Sequence, residues 1–209
     1  MQNWWIAQWV EVMGFVTGAA CVVLAWRRNI WNYPIGIANT ILFMGLFWTA
    51  GLYAQVGLQV VFLVLAGHGW IDWMRTRQWE ASANLRRDEA FVSSVPRLAV
   101  LALVAAFVLV TLTVRWVLLE FTDSTVATSD AATMAASVVA QIMLNRRWWQ
   151  SWLVWLAVDI AYVWLYLSAG LWITALLYGG FCIMCALALR EWLAVRRAAQ
   201  DTRADLVRV

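Results

Sequence analysis

The sequence predicts an all-α integral membrane protein with seven transmembrane helices, and three observations support this prediction. The 209 residues are 64% hydrophobic and only 13% charged, whereas a soluble domain is usually near half apolar and a quarter charged. Apolar runs of about 20 residues, the length that a helix needs to cross a bilayer, recur along the chain. The 17 Trp and 5 Tyr suit a chain in lipid, because amphipathic rings favour the headgroup level.

Seven apolar runs follow one another along the chain. Backbone polar groups in lipid must be paired within each segment, so each run is predicted to be a helix rather than a strand. Turn residues or charges separate the runs, and Pro96 is placed to start the fourth helix. The predicted helices cover residues 5–25, 33–50, 55–74, 97–119, 126–144, 149–168 and 171–191.

The arginines predict the orientation of the bundle. All 15 basic residues are Arg, and they follow predicted helices 1, 3, 5 and 7, whereas the alternate connectors hold acids such as Glu120 and Asp123. By the positive-inside rule the N-terminus is predicted outside and the C-terminus in the cytoplasm. Arg115 is the exception near the outer end of helix 4, where we expect it to snorkel or to pair with Glu120.

An internal duplication is visible at an offset of 119 residues (146 − 27), which aligns Arg27-Arg28 with Arg146-Arg147. The same offset aligns Ala50-Gly51-Leu52-Tyr53 with Ala169-Gly170-Leu171-Trp172, and Asp72-Trp73 with Glu191-Trp192. Because one helix separates the two copies, they are predicted to cross the membrane in the same sense, as parallel repeats of some transporters do.

This 3+1+3 plan predicts four parts of the chain. The first three-helix repeat covers 1–75, and a cytoplasmic linker with the connecting fourth helix covers 76–125. The second repeat covers 126–193, and a cytoplasmic tail covers 194–209. Parallel repeats of this kind favour transport, with a solute bound near the midplane where the two copies meet.

Polar side chains at bilayer depth are the candidate functional residues, because such groups are costly in lipid. Asp159 lies near the middle of predicted helix 6, and its repeat partner is Thr40 (159 − 119), beside Asn39. Gln59 on helix 3 has Tyr178 as its repeat partner. The alternative for each is a helix-packing hydrogen bond, and for Asp159 a fixed network with Tyr162 and Tyr166.

The sixth helix carries a stripe of rings that ends beside this carboxylate. Trp152, Trp155, Asp159 and Tyr162 follow the spacing i, i+3, i+7, i+10, which places them on one side of a helix. Flat rings followed by a carboxylate suit a planar, polar or cationic ring as ligand. His68 and Asp72 form an H-x-x-x-D pattern, but no nucleophile motif accompanies it, so catalysis is not predicted. The single His also makes a metal site improbable.

The chain resembles the PnuC family of bacterial vitamin transporters over nearly its whole length. The resemblance lies in Trp31-Asn32-Tyr33-Pro34-Ile35-Gly36-Ile37, in Gly51-Leu52-Tyr53-Ala54 with Gly57-Leu58-Gln59, and in the spaced Trp152-x-x-Trp155-x-x-x-Asp159. It implies a SWEET-like fold in a bacterial plasma membrane and uptake of nicotinamide riboside by facilitated diffusion. Family members often have Glu-Asn-Trp where this chain has Gln150-Ser151-Trp152, which leaves thiamine and riboflavin open as substrates.

The resulting hypothesis is a uniporter for nicotinamide riboside with no enzymatic activity, no cofactor, no metal and no nucleic-acid partner. The partners are the vitamin and the lipid bilayer, and homo-oligomer formation stays open. An intramembrane enzyme using His68 and Asp72 is the remote alternative. Rings are expected to stack on the solute, and polar groups to bind its carboxamide and ribose hydroxyls; the rings are Trp48, Trp152 and Trp155, and the polar groups Asn39, Gln59, Asp159 and Tyr178.

Overall fold

The computed structural model describes residues 4–49, 53–85, 91–121, 127–168 and 172–208, without the side chains of 4–11, 53–55, 173–174 and 202–208. The described chain forms seven α-helices: α1 (Trp4–Trp26), α2 (Asn32–Thr49), α3 (Tyr53–Ser82), α4 (Arg97–Phe121), α5 (Ala127–Asn145), α6 (Ser151–Ser168) and α7 (Trp172–Arg208). All seven predicted helices are therefore present. Five of them agree with their predicted ends to within two residues.

Four of the described helices are long and apolar enough to cross a membrane, and they are α3, α4, α6 and α7. In α1 the described side chains form a shorter apolar stretch, Val12–Trp26. The connecting helix α4 exposes large apolar side chains along its length, including Leu98 (86%) and Leu109 (67%). Such a surface is compatible with lipid and not with water.

Helices α3 and α7 are longer than predicted, because their polar ends stay helical. The linker was expected from residue 76, yet α3 continues to Ser82, and its last turns contain an ion pair between Arg77 Nη1 and Glu80 Oε2 (2.9 Å). The tail expected from 194 is helical to Arg208. Ala and Arg are strong helix formers, and neither segment contains Pro or Gly.

The chain divides into two compact units, Met1–Arg75 and Thr76–Val209. In the first unit α1 packs against α2, and in the second α5 packs against both α4 and α6, while α6 packs against α7. Helix α5 is the most buried helix of the second unit. Small side chains on it, such as Ala131, Ala135 and Ala140, are fully buried and allow the neighbouring helices to approach closely.

The two arginine pairs end α1 and α5 with the same hydrogen bonds. Arg28 and Arg147 have left-handed backbones, with φ of 53° and 59°. Asn29 N donates to Leu24 O (2.8 Å) and Arg28 N to Ala25 O (3.0 Å). At an offset of 119, Trp148 N donates to Met143 O (3.0 Å) and Arg147 N to Leu144 O (2.9 Å). Both ends are Schellman motifs, so the duplication extends to backbone geometry.

Both repeats also contain an edge-to-face aromatic pair at equivalent positions. Tyr33 meets Trp73 with ring centroids 5.1 Å apart at 90°, and Trp152 meets Trp192 at 5.6 Å and 81°. All four side chains are at most 2% exposed. Edge-to-face pairs are a favoured aromatic geometry, and here each joins the start of a repeat's second helix to its third helix.

The connector before α4 is bonded to the turn between α5 and α6. Ser93 N donates to Arg147 O (3.0 Å), and Trp149 N donates to Ser93 O (3.1 Å). Val95 N donates to Gln150 Oε1 (3.2 Å). Phe91 is fully buried, with its ring against Trp192 and under the Arg77 guanidinium at 4.1 Å. We call residues 91–95 the strap.

Several predicted features lie outside the described residues. The two Ala-Gly-Leu turns fall on 50–52 and 169–171, and Asp123 and the centre of the linker, 86–90, are likewise not described. Arg115 is described, and its Nε donates to Thr128 Oγ1 on α5 at 3.0 Å. Among the described residues this bond is the one its guanidinium makes, in place of the expected pairing with Glu120.

Candidate functional site

Asp159 lies at the middle of α6, eight residues after Ser151 and nine before Ser168. Its side chain is only 8% exposed. In the described part of the chain, its carboxyl accepts one side-chain hydrogen bond, from Cys185 Sγ of α7 to Oδ2 at 3.4 Å. A thiol is a weak donor. A buried carboxyl at mid-membrane without a strong partner is expected to serve function rather than stability.

Tyrosine rings continue from Asp159 toward the C-terminal end of α6 and onto the N-terminal part of α7. Tyr162 and Tyr166 stack with centroids 5.9 Å apart, and Tyr178 contacts both, at 5.0 and 5.2 Å. Phe181 closes the group edge-to-face on Tyr178 at 5.6 Å. These rings belong to α6 and α7, the pair of helices that also brings Cys185 to Asp159. We call Tyr162, Tyr166 and Tyr178 the tyrosine cluster.

The two Trp side chains of the stripe on α6 differ in burial. Trp155 is half-buried, one turn before Asp159. Trp152 is 2% exposed and its ring packs on Trp192, so its faces are covered by the protein. The structure therefore favours a packing role for Trp152 over the expected stacking role, whereas Trp155 keeps the accessibility that stacking on a solute requires.

The three candidates of the first unit differ in accessibility. Asn39 is half-buried, and its Nδ2 donates to Gly14 O (2.6 Å) and Thr17 Oγ1 (2.7 Å) of α1, as a helix-packing amide does. Trp48 is 64% exposed near the C-terminal end of α2. Gln59 is half-buried on α3. Asn39 is thus the candidate for which packing is the better-supported role.

The departure at Gln150-Ser151 lies at the N-terminal end of α6, eight residues before Asp159. Gln150 Oε1 accepts the Val95 N–H of the strap, a task that an amide performs as well as a carboxylate. Ser151 is fully buried, and its hydroxyl has no hydrogen-bond partner among the described residues. Its repeat partner Asn32 donates from Nδ2 to Asn29 O (3.0 Å). This departure therefore affects a turn rather than the surroundings of Asp159.

Tyr166 and Cys185 were not among the predicted site residues. A signal for both was present in the duplication, since an offset of 119 pairs Tyr166 with Phe47 and Cys185 with Ala66. In each case a polar group of the second copy replaces an apolar one of the first. Contacts of Cys185 across α6 and α7 depend on helix rotation, which the spacing alone does not specify.

A model of the family described as nicotinamide mononucleotide transporter matches residues 8–194 of this chain. The chain belongs to this family. As a member of the nicotinamide mononucleotide transporter family, with apolar helices of membrane-spanning length, it is an integral transporter of a bacterial inner membrane. Its partners accordingly include the lipid bilayer and a small-molecule substrate.

Curated relatives within this family carry two kinds of name. The chain is 27% identical over 205 residues to "Nicotinamide riboside transporter PnuC" of Escherichia coli (strain K12), covering 88% of this chain and 85% of the relative. It is 24% identical over 196 residues to "Riboflavin/roseoflavin transporter RibM" of Streptomyces davaonensis, covering 93% and 88%. Both relatives are transporters by name, with different vitamins.

The fold agrees with a solved structure of a family member. The crystal structure titled "Crystal structure of the Vitamin B3 transporter PnuC" superposes with a TM-score of 0.69 at 23% sequence identity. The likeness covers 91% of this chain and 83% of that one. The predicted all-α, seven-helix membrane fold is confirmed.

Proposed function

We propose that this chain carries nicotinamide riboside into the cell by facilitated diffusion. The observation that carries the proposal is the buried carboxyl of Asp159 at mid-membrane, with Trp155 one turn away and the tyrosine cluster beside it. Nicotinamide riboside has a cationic pyridinium ring, a carboxamide and a ribose. A carboxylate suits the cation, aromatic rings suit the flat ring, and hydroxyls suit the ribose.

The proposed binding residues follow from accessibility and depth. Trp155 provides the stacking surface, and Asp159, Tyr178 and Gln59 provide polar groups. Trp48 stays a stacking candidate on account of its exposure. Trp152 and Asn39 are assigned to packing, because Trp192 covers the ring of Trp152 and α1 accepts the amide hydrogens of Asn39.

Riboflavin is the alternative substrate, favoured by the name of the Streptomyces relative, and thiamine is a second cationic aromatic of suitable shape. The relatives named for nicotinamide riboside and the carboxyl of Asp159 favour nicotinamide riboside, because riboflavin carries no positive charge. Enzymatic activity is not proposed: His68 is exposed on α3 rather than set in a cleft. The N-terminus is proposed outside and the C-terminus inside, following the arginines.

A binding panel tests the choice of substrate. Purified protein is melted with saturating nicotinamide riboside, thiamine or riboflavin, and with nicotinamide as a fragment control. A ligand that binds only the folded state raises the Tm by mass action. At one hundred times its Kd it raises the free energy of unfolding by about 2.7 kcal/mol. We expect the largest rise with nicotinamide riboside. A larger rise with riboflavin or thiamine would reassign the substrate, and no rise with any of them would remove this class of solute.

A further inference from the structure

The two repeats contain the same pair of stacked rings, one turn apart on their second helix. Phe43 and Phe47 of α2 lie 5.7 Å apart with an interplanar angle of 22°. Tyr162 and Tyr166 of α6 lie 5.9 Å apart at 19°. Both pairs are half-buried and are related by the offset of 119. The geometry of the pair therefore does not depend on hydroxyl groups.

The residues around the stacked pair are more polar in the second repeat than in the first. Tyr178 joins the pair in α7, with centroids 5.0 and 5.2 Å from its rings. Asp159 replaces Thr40, and both are buried. Thr133 replaces Gly14 and lies near the hydroxyl of Tyr162. A Cβ at Gly14 would lie 2.6 Å from the Phe43 ring. In the first repeat the Phe43 ring therefore occupies the space that a side chain at position 14 would need.

Depth distinguishes Tyr162 and Tyr178 from an interfacial belt, whereas Tyr166 lies two residues before the end of α6. Tyr162 lies six residues before Ser168, the end of α6, and Tyr178 lies six residues after Trp172, the start of α7. At 1.5 Å per residue both are about 9 Å from the helix ends. Belt tyrosines lie at the headgroup level, and a hydroxyl below it costs free energy unless it is hydrogen-bonded. Tyr162 is hydrogen-bonded to Thr133 and Tyr178 to Tyr166. The deep hydroxyls therefore pair within the protein, and a ligand with hydroxyl groups of its own can join these bonds.

We propose that Tyr162 and Tyr166 are specificity-determining residues that, with Tyr178, recognise the hydroxyl groups of a nucleoside-like substrate. The proposal rests on the proposed function and names its chemical class more closely: a flat heteroaromatic ring joined to a polyol. The rings of the cluster offer apolar contact, and each phenol both donates and accepts a hydrogen bond. A site that hydrogen-bonds hydroxyl groups discriminates against an analogue that lacks them, because the analogue cannot form those bonds.

The test replaces each tyrosine with the residue that the first repeat already uses. Tyr162→Phe, Tyr166→Phe and the double variant keep the stacked rings and remove only oxygen atoms. The matched control is Tyr33→Phe, which makes the same change in the buried pair with Trp73. Dissociation constants are measured for nicotinamide riboside and for its 2′,3′-dideoxy analogue, on protein shown to be folded by its melting curve.

We expect each cluster variant to weaken binding of the riboside by about 2- to 12-fold, the range for one hydrogen bond. The dideoxy analogue should bind parent and variants alike, so the preference for the riboside shrinks, while Tyr33→Phe should keep the parent's affinity for both. Unchanged riboside affinity in the double variant, or an equal loss for both ligands, would overturn the assignment. A parent protein that binds neither ligand would instead overturn the proposed function.

Discussion

At the scale of single residues, Trp152 and Trp155 have the same chemistry and different surroundings. They lie three residues apart on α6, yet Trp152 is buried with its ring edge-to-face against Trp192, whereas Trp155 is half-buried. A ring that packs against protein on both sides contributes to stability. A ring with an accessible face is free to contribute to binding. The pair therefore allows the two roles to be separated within one helix.

Trp155→Ala is expected to lower the affinity for nicotinamide riboside while the protein stays folded. Loss of a stacking surface costs about 1–3 kcal/mol, which is roughly a 5- to 150-fold loss of affinity. Trp155→Phe should retain part of the affinity, since a smaller ring still stacks. Isothermal titration calorimetry measures the affinities of the monodisperse parent, Trp155→Ala and Trp155→Phe. Equal affinity in these three proteins would remove Trp155 from the site.

Trp152→Ala is expected to act on stability instead. Removing a fully buried Trp from a packed core typically costs about 3–5 kcal/mol, so its Tm should fall well below that of the parent and of Trp155→Ala. Trp152→Phe should recover much of the loss, because a ring still meets Trp192. A Trp152→Ala protein with the parent's Tm and reduced affinity would return Trp152 to the binding site.

At the scale of helices and their connections, the strap is hydrogen-bonded to the turn between α5 and α6. Val95 N donates to Gln150 Oε1, and Ser93 pairs with the backbone on both sides of Trp148. Phe91 then fills the space beside Trp192. The side chain of Gln150 matters here as an acceptor, so a carboxylate serves equally well at this position.

Gln150→Ala should lower the Tm, because the Val95 N–H loses its acceptor at a cost of about 1 kcal/mol. Gln150→Glu should melt with the parent, since a carboxylate oxygen accepts the same bond. Gln78→Ala, an exposed position on α3, controls for the change in composition. Thermal melting of the three variants in one detergent compares them, and a Gln150→Ala curve superimposed on the parent's would show that this bond does not support the strap.

Helices were predictable where one physical signal dominates. Apolar length predicted all seven helices, and the offset of 119 predicted repeats whose arginine turns share their hydrogen bonds at Arg28 and Arg147. The ends of α3 and α7 were missed, because apolar length does not report on helix propensity outside lipid. The packing of Trp152 against Trp192 was not predicted, because helical spacing places side chains on a face without specifying the neighbouring residue.

At the scale of the whole molecule, orientation in the membrane follows from charge. Single cysteines introduced at Ser82, at the end of α3, and at Ser129, in the first turn of α5, lie on predicted opposite sides, and both positions are exposed. A membrane-impermeant maleimide added to intact cells should label Ser129→Cys and not Ser82→Cys, with the parent protein as the background. Labelling of Ser82→Cys alone would invert the proposed topology.

The central proposal is passive transport of nicotinamide riboside, with Asp159 and Trp155 of the second repeat among the residues that bind it. The most direct measurement is uptake of the labelled riboside into proteoliposomes, followed to its plateau with and without imposed pH and Na⁺ gradients. We predict a plateau at equal inner and outer concentrations, unaffected by either gradient, and slower entry with Trp155→Ala at low substrate. Accumulation above the outside concentration under a gradient, or entry no faster than into protein-free liposomes, would contradict the claim.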